Sequence, residues 1–206
     1  MTSSVEPQSQ RELAGYEVLV GVCGGIAAYK LCEVVSRLVQ RGATVSVAMT
    51  RAAQRFVGPT TFQALSGRPV LTDLWSCQAA CDVRHIALTG AADLVLIAPA
   101  TANIIGKISG GIADDVVTTL VISADSPVLF APAMNDRMWN NTAVQHNTSV
   151  LKKRGYELLE PSEGWLACRS VGVGRMADPQ QILSAVTKRL TEKPPRSRDS
   201  GGDAEA

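Results

Sequence analysis

The chain has 206 residues, 46% of them hydrophobic and only 4% aromatic, so it can bury one sizeable aliphatic core and is expected to form a single domain. Its formal net charge is +1, with acidic and basic residues interspersed, which leaves no basic stripe for nucleic acid and no patch for an anionic membrane. The N-terminus shows no signal peptide, and no run approaches the roughly 20 apolar residues that span a bilayer.

Cysteine usage bounds the redox and metal chemistry. The five cysteines are an odd number in a chain without an export signal, which favours reduced thiols and a cytoplasmic protein. Cys77 and Cys81 are close in sequence, but only His85 and His146 could join them as imidazole ligands. No zinc site or other metal site is therefore expected.

Short apolar runs alternate with helical patterns along the chain. The runs cover residues 16–21, 44–49, 94–98, 128–131 and 156–159, with a weaker one at 70–71. Because they are continuous rather than alternating, the sheet should be covered on both faces. The β-α-β order predicts an α/β fold: a three-layer, doubly wound, Rossmann-like or flavodoxin-like parallel sheet of about six strands.

Helix signals and the two termini set the predicted domain limits. Leu31, Val34 and Leu38 share one helix face, and Gly42 follows as a stop. Asp178 and Pro179 open a last helix that runs to about residue 190. Residues 1–14 form a polar N-terminal tail in this prediction, residues 15–190 the domain, and residues 191–206 a C-terminal tail of disordered composition.

A glycine turn joins the first strand to the first helix. In GVCGGIAAYK, residues 21–30, Gly24 and Gly25 allow close backbone approach, and the helix start offers free N–H groups to a phosphate. The pattern is not G-x-G-x-x-G, so a mononucleotide phosphate is favoured over a dinucleotide. A purely structural tight turn is the alternative. Thr50, Arg51 and Ala52 end the second strand at the same sheet edge.

Polar side chains also follow the third and fourth strong strands. Thr101 and Asn103 could meet a flavin ring or ribityl chain, while neighbouring alanines leave room for a flat ligand. Asn135 follows the strand in VLFAPAMNDRMW, residues 128–139, where ligands of open α/β sheets bind. For both Thr101 and Asn135 the alternative is an ordinary helix N-cap.

Two further residues have side chains suited to proton transfer. His85 precedes a helical pattern, and its near-neutral pKa suits a general base, with a structural histidine as the alternative. Cys168 lies in the glycine-rich segment GWLACRSVGVGRM, residues 164–176. That segment predicts a mobile loop over a site, on which a thiol could donate a proton or act as nucleophile. The alternative is an exposed loop with an incidental thiol.

These segments, in this order, resemble the homo-oligomeric flavin-containing cysteine decarboxylases, over about residues 16–190. Three signatures carry the resemblance: His85 with Ile86, the pattern P-x-M-N-x-x-M-W at residues 132–139, and Leu166, Ala167 and Cys168 on the flap. The resemblance implies FMN, with its phosphate on the glycine turn and its ring beyond the third and fourth strands. The implied cofactor-binding residues are Gly25, Ile26, Ala27, Thr50, Arg51, Ala52, Thr101, Ala102, Asn103, Ile104 and Ala133.

The resemblance also implies an activity and a division of roles. FMN-dependent decarboxylation of 4′-phosphopantothenoylcysteine would give 4′-phosphopantetheine and CO2 in coenzyme A biosynthesis. In that chemistry His85 is the base, Asn135 holds the substrate carboxylate and Cys168 donates a proton during re-reduction. The implied substrate-binding residues are Asn135, Met138, Trp165, Leu166, Ala167 and Arg169. The implied assembly is a homotrimer or homododecamer with FMN at subunit interfaces.

Two alternatives within the same family stay open. One is a peptidyl-cysteine decarboxylase that stops at a C-terminal enethiol, and the other is a non-catalytic FMN-binding regulatory subunit. The flap with Cys168 favours the small-molecule enzyme over the peptide enzyme, and the joint presence of His85, Asn135 and Cys168 argues against the regulatory subunit. Family members in bacteria are often fused to a following synthetase, and the polar end of this chain fits a stand-alone decarboxylase or a piece of such a fusion.

The flap departs from the family pattern at one position. The family usually has Ala-Cys-Gly there, and this chain has Arg169 in place of the glycine. Arginine adopts positive φ less readily than glycine, so the backbone conformation of the flap is in question. Arg169 could instead reach the substrate phosphate as an added anchor.

Overall fold

The computed structural model describes residues 11–74 and 81–196, with the side chains of residues 81–85 left out of the description. Five parallel strands form the sheet in the order β2-β1-β3-β4-β5. They are β1 (Glu17–Val22), β2 (Thr44–Met49), β3 (Leu94–Ala100), β4 (Val128–Pro132) and β5 (Glu157–Leu158). The predicted doubly wound parallel α/β fold is confirmed.

Eight α-helices connect and cover these strands in the described part of the chain. They are α1 (Lys30–Gln40), α2 (Pro59–Ser66), α3 (Cys81–Ala91), α4 (Ala102–Ser109), α5 (Val116–Ile122), α6 (Asp136–Trp139), α7 (Thr142–Lys153) and α8 (Pro179–Thr191). A short 3-10 turn, Ile26–Tyr29, precedes α1. Within the described ranges, no helix combines the length and the apolar character that crossing a bilayer requires.

Two apolar clusters sandwich the sheet, as the continuous apolar strands predict. Along β1, Val18 and Val20 pack in one cluster with α1, α2 and α8, whereas Leu19 packs in the other with α4, α5 and α7. The predicted face of α1 is confirmed, since Leu31, Val34, Val35 and Leu38 are all fully buried. Burial on both faces is typical of a parallel sheet. Because all neighbouring strands pair in parallel, their carboxyl ends lie at one common edge.

The prediction of about six strands was too high by one. The weak run at residues 70–71 forms only a single bridge, in which Leu71 N–H donates to Val47 O at 2.9 Å and Met49 N–H donates to Leu71 O at 2.8 Å. The apolar run is short, and Pro69 directly before it has no N–H for a ladder. At this position a single bridge therefore forms beside β2 in place of a sixth strand.

Ordered packing extends past the predicted domain limits at both ends. Leu13 is fully buried and its N–H donates to Arg41 O at 2.9 Å, so the packed domain begins before residue 15. At the other end, the Tyr16 hydroxyl donates to Lys193 O at 2.7 Å, and Arg196 N–H donates to Asp93 at 2.8 Å. The rest of the two predicted tails, residues 1–10 and 197–206, lies outside the described residues.

The glycine-rich segment predicted as a mobile loop is an antiparallel hairpin, β6 (Ser162–Trp165) with β7 (Val171–Arg175). Its glycines permit a close approach to the chain that follows β4. Met134 N–H donates to Gly174 O at 2.9 Å, and a Cβ at Gly174 would overlap Met134 O. A Cβ at Gly172 would lie 2.8 Å from Asp136 Cβ. This docking holds the hairpin tip above the carboxyl edge of the sheet.

Candidate functional site

A cavity of about 990 Å³ opens at the carboxyl ends of the strands and under the hairpin. All eleven residues that the sequence assigned to the cofactor line it. Of those assigned to substrate or catalysis, Asn135, Met138, Trp165, Leu166, Ala167 and Cys168 line it as well. The fold thus brings the separate sequence motifs into one cavity, where parallel α/β sheets bind ligands.

The glycine turn forms one wall of the cavity. Gly25 has φ −141° and ψ 154°, an extended conformation open to any residue, and a Cβ built there would meet Pro99 and Thr101 only at 3.5 Å or more. The fold therefore does not itself require glycine at this position, because a Cβ there would make only ordinary van der Waals contacts. Gly24 differs, because its Cβ would overlap Ala52 and force the turn away from that segment.

The start of the 3-10 turn leaves backbone donors for a ligand. Ala28 N–H bonds back to Gly25 O at 2.9 Å, and no side chain of the described residues caps the turn. The N–H groups of Ile26 and Ala27 precede this first bond, as expected at a helix start. Within the described ranges these two donors have no partner in the turn, and beside a small-residue surface they are suited to an anionic oxygen.

Thr101 caps a helix and also lies at the cavity wall. Its Oγ1 accepts a hydrogen bond from Ile104 N–H at 3.4 Å, which makes it the N-cap of α4. The residue also lines the cavity together with Ala102 and Asn103. The capping alternative is therefore present, and it positions this segment at the cavity wall.

Asn135 uses the two ends of its amide for different purposes. Its Oδ1 accepts from Arg137 N–H at 2.8 Å, capping α6, while its Nδ2 donates to Cys168 Sγ at 3.0 Å. The cap fixes the side-chain rotamer, and the fixed rotamer aims the amide nitrogen at the hairpin tip. The helix cap and the candidate site residue are thus the same side chain.

Cys168 is an exposed thiol with polarised surroundings. Its Sγ lies 3.0 Å from Ser170 Oγ as well as 3.0 Å from Asn135 Nδ2. Hydrogen bonds from Ser170, and to a smaller extent from Asn135, hold the pKa of the Cys168 thiol below its ordinary value because they favour the thiolate. Ser170 was not identified from the sequence.

Arg169 occupies the conformation that glycine favours. Its φ is +64°, and it is the sole non-glycine residue with positive φ in the described ranges. The tip is closed by Arg169 N–H donating to Leu166 O at 2.9 Å and Leu166 N–H donating to Ser170 O at 2.8 Å. Arg169 is not among the cavity-lining residues. The flap therefore keeps its turn with arginine in a strained position.

His85 lies in the middle of α3, whose backbone covers Cys81–Ala91. Its side chain is outside the description, as are the side chain of Cys81 and the whole of Cys77, so the role of His85 as a base stays a prediction. The described thiols Cys23, Cys32 and Cys168 are free. Of these, Cys23 is buried at the cavity, and burial, assisted by Asp115, raises the pKa of its thiol far above the usual range.

Charged residues that sequence reasoning missed also line the cavity. Lys107 Nζ lies 2.6 Å from Asp114 Oδ1 and 3.1 Å from Asp115 Oδ2, and the hydrogen bond to Asp114 raises the pKa of the Lys107 ammonium. Asp115 caps α5 with Thr118 in a capping box, a signal readable from an aspartate three residues before a threonine. Lys30 and Arg175 are two further charged residues in the cavity lining that sequence reasoning missed.

Comparison with known proteins identifies relatives along the whole domain. The Flavoprotein family model matches residues 6–191. The coenzyme A biosynthesis bifunctional protein CoaBC of Bacillus subtilis is 51% identical over 176 residues, covering 85% of this chain and 43% of the relative. This chain thus spans somewhat under half the length of that curated relative.

Two solved structures share the fold at moderate identity. The FMN-dependent cysteine decarboxylase SpaF is 33% identical with a TM-score of 0.75, covering 87% of this chain and 98% of that one. A PPC decarboxylase mutant complexed with pantothenoylaminoethenethiol is 31% identical with a TM-score of 0.76, covering 86% and 99%. The agreement of sequence, fold and cavity along nearly the whole chain makes this protein a member of the Flavoprotein family.

Proposed function

We propose that the chain is an FMN-dependent decarboxylase that converts 4′-phosphopantothenoylcysteine to 4′-phosphopantetheine and CO2 in coenzyme A biosynthesis. The observation that carries the proposal is the 3.0 Å contact between Asn135 Nδ2 and Cys168 Sγ at a cavity lined by the glycine turn and the alanine-rich segment after β3. The names of the CoaBC and PPC decarboxylase relatives support the same reaction.

The residues of the cavity fit FMN. Free N–H groups at Ile26 and Ala27 suit its phosphate, and the space that a Cβ at Gly25 would occupy is left open to it. The small side chains of Ala102 and Ala133 leave room for a flat ring in the cavity. Thr101 and Asn103 are polar partners beside it. When bound, FMN supplies an electron acceptor for the substrate thiol and later returns the electrons, so decarboxylation involves no net redox change.

Asn135 is suited to hold the carboxylate that leaves. A neutral amide donates a hydrogen bond without the full positive charge that would stabilise the ground-state carboxylate and slow its loss. Its nitrogen already points to the hairpin tip in the protein alone, at Cys168 Sγ. A substrate carboxylate would replace the thiol as acceptor, which brings the reacting carbon beside Cys168.

Cys168 is suited to donate the proton that completes the saturated product. A thiol of lowered pKa gives up its proton more readily near neutral pH. Ser170, 3.0 Å from Sγ, stabilises the thiolate left behind. The docked hairpin covers the cavity with Trp165 and Leu166, which helps to exclude water. His85 would act as base, with its imidazole taking a proton near pH 7.

Exposed apolar side chains support an oligomer. Ile26, Tyr29, Met138 and Trp165 line the cavity yet are 58%, 58%, 47% and 67% exposed. Such a cluster is costly to leave in water and marks an interaction site. We propose a homotrimer, alone or within a homododecamer, with FMN between subunits. The free thiols support a reducing, cytoplasmic location.

Purified protein reconstituted with FMN tests the proposal. We expect a yellow holoprotein that releases CO2 from 4′-phosphopantothenoylcysteine and forms 4′-phosphopantetheine. A peptidyl-cysteine decarboxylase would instead act on a peptide with a C-terminal cysteine and leave an enethiol. A regulatory subunit would bind FMN and release no CO2 from either substrate, and protein that binds no FMN would refute the proposal outright.

A further inference from the structure

We propose that Lys30 and Arg175, held together by Asp178, form the subsite for the phosphomonoester of the substrate. The inference rests on the proposed function and assigns the group that distinguishes a phosphorylated small molecule from a peptide. Lys30 lies at the start of α1, Arg175 at the end of β7 and Asp178 at the N-cap of α8. The fold thus brings together three elements that are separate in the sequence.

The cluster has a net positive charge. Arg175 Nη2 lies 2.7 Å from Asp178 Oδ1, and Lys30 Nζ lies 3.6 Å from the same oxygen. Two cations therefore share one carboxylate, which leaves one positive charge uncompensated. The Lys30 side chain is 18% exposed and the Arg175 side chain 39%, so both are partly desolvated, and attraction to an anion is stronger there than at a fully exposed site.

The other cations of the cavity, Lys107 and Arg51, are paired with carboxylates or assigned to the cofactor. Lys107 is paired with both Asp114 and Asp115 and offers no free positive charge. Arg51 belongs to the Thr50–Ala52 segment beside the glycine turn, which is the proposed place of the FMN phosphate. Lys30 and Arg175 are what remains among the described residues for a second phosphate.

The hairpin brings the cluster to the same cavity as the proposed carboxylate holder. The Asn135 backbone lies beside Gly174, the residue before Arg175 in β7, and the Asn135 side chain reaches Cys168 at the hairpin tip. Asn135, Lys30 and Arg175 all line the cavity, so a ligand whose carboxylate contacts Asn135 can direct its phosphate to the two cations.

The packing of Arg175 also holds it along the hairpin. A Cβ at Gly164 would lie 3.2 Å from Arg175 Nη1, so glycine across the strand pair leaves room for the guanidinium. The planar guanidinium can keep Asp178 on one side and offer its other N–H groups to phosphate oxygens. Arg169, the anchor considered from the sequence, lies at the tip and outside the cavity lining.

Three charge-removing variants test the subsite: Lys30→Gln, Arg175→Gln and, as the matched control from the same hairpin, Arg169→Gln. Isothermal titration calorimetry on the FMN-loaded proteins would measure binding of 4′-phosphopantothenate and of pantothenate. We expect Lys30→Gln and Arg175→Gln to weaken binding of the phosphorylated ligand about 10- to 100-fold, as for loss of one charge-assisted contact, without weakening pantothenate. Arg169→Gln should retain the wild-type preference.

Further measurements separate the possible outcomes. Lys30→Arg should restore the preference. Lys30→Gln and Arg175→Gln should show a higher KM for 4′-phosphopantothenoylcysteine with little change in kcat, whereas Arg169→Gln should keep the wild-type KM. A loss confined to Arg169→Gln, or a wild-type protein that does not prefer the phosphorylated ligand, would overturn the assignment. A matching fall in FMN affinity would also overturn it, because the cations would then serve the cofactor phosphate. The titrations report on the subsite even if no CO2 is released.

Discussion

Asn135 offers the sharpest test of structure against function, because its amide makes two separable contacts. Oδ1 caps α6 through Arg137 N–H at 2.8 Å, and Nδ2 donates to Cys168 Sγ at 3.0 Å. Asn135→Asp keeps an oxygen for the cap and removes the donor, whereas Asn135→Ala removes both. The two variants therefore separate the structural role of this residue from its proposed chemical role.

The magnitudes follow from the two contacts. Loss of an N-cap costs about 0.5–2 kcal/mol, and α6 has only four residues, so we expect the lower end, about 0.5–1 kcal/mol, for Asn135→Ala. That corresponds to a fall in Tm of about 1–4 °C in a domain of this size. Loss of a hydrogen bond to a charged carboxylate, about 1.5–3 kcal/mol, lowers kcat/KM about 10- to 150-fold.

Urea unfolding and CO2 release measure the two effects side by side. Asn135→Asp should unfold like the wild type yet lose more activity than Asn135→Ala, because its carboxylate would repel that of the substrate. Alkylation of Cys168 gives a third readout, since loss of the Nδ2 donor should raise the pKa of the thiol in both variants. Retained activity in Asn135→Asp would refute the carboxylate-holding role, and unchanged stability in Asn135→Ala would refute the cap.

Four further outcomes are expected. Cys168→Ser should still release CO2 but accumulate the enethiol, detectable by mass spectrometry, and normal turnover to the saturated thiol would remove Cys168 from the reaction. Gly25→Ala should weaken FMN binding about tenfold or more without lowering Tm. The comparison variant Gly24→Ala should lower Tm, because its Cβ overlaps Ala52. Equal FMN affinity in the wild type and in Gly25→Ala would argue against binding of the FMN phosphate at the glycine turn. Arg169→Gly should relieve about 1–2 kcal/mol of strain from the left-handed backbone conformation. The larger conformational entropy of glycine in the unfolded chain should offset about 0.5–1 kcal/mol of that gain. The net stabilisation should slow hydrogen exchange of Leu166 N–H, and faster exchange would contradict the strain. Ser170→Ala should shift the alkylation profile of Cys168 to higher pH, because Ser170 is the main cause of its lowered pKa, and an unshifted profile would show that this contact is absent in solution.

Local patterns predicted the sheet and the cavity walls from the sequence. Continuous apolar runs gave the five main strands, and the glycine turn with Thr101 and Asn135 fell at the carboxyl ends, because strand direction in a parallel sheet sends these ends to one edge. The choice between cap and ligand at Asn135 could not be made from sequence, since both uses require the same residue type at the same position.

Long-range docking explains what the sequence could not indicate. The hairpin of residues 162–175 has a glycine-rich composition with weak β-propensity, and it forms because Gly172 and Gly174 fit against residues 134–136. Lys30 and Arg175 meet only through Asp178, which sequence reading treats as an ordinary helix cap. Arg169 was recognised as a departure, but only the structure gives its φ of +64°.

Product stoichiometry under anaerobic conditions, without added oxidant or reductant, tests the central claim most directly. The FMN-loaded protein is mixed with 4′-phosphopantothenoylcysteine, and CO2 and thiol products are quantified together. Redox-neutral decarboxylation predicts one 4′-phosphopantetheine for each CO2 through many turnovers. Absence of CO2, or CO2 accompanied by an enethiol that never becomes saturated, would contradict the account.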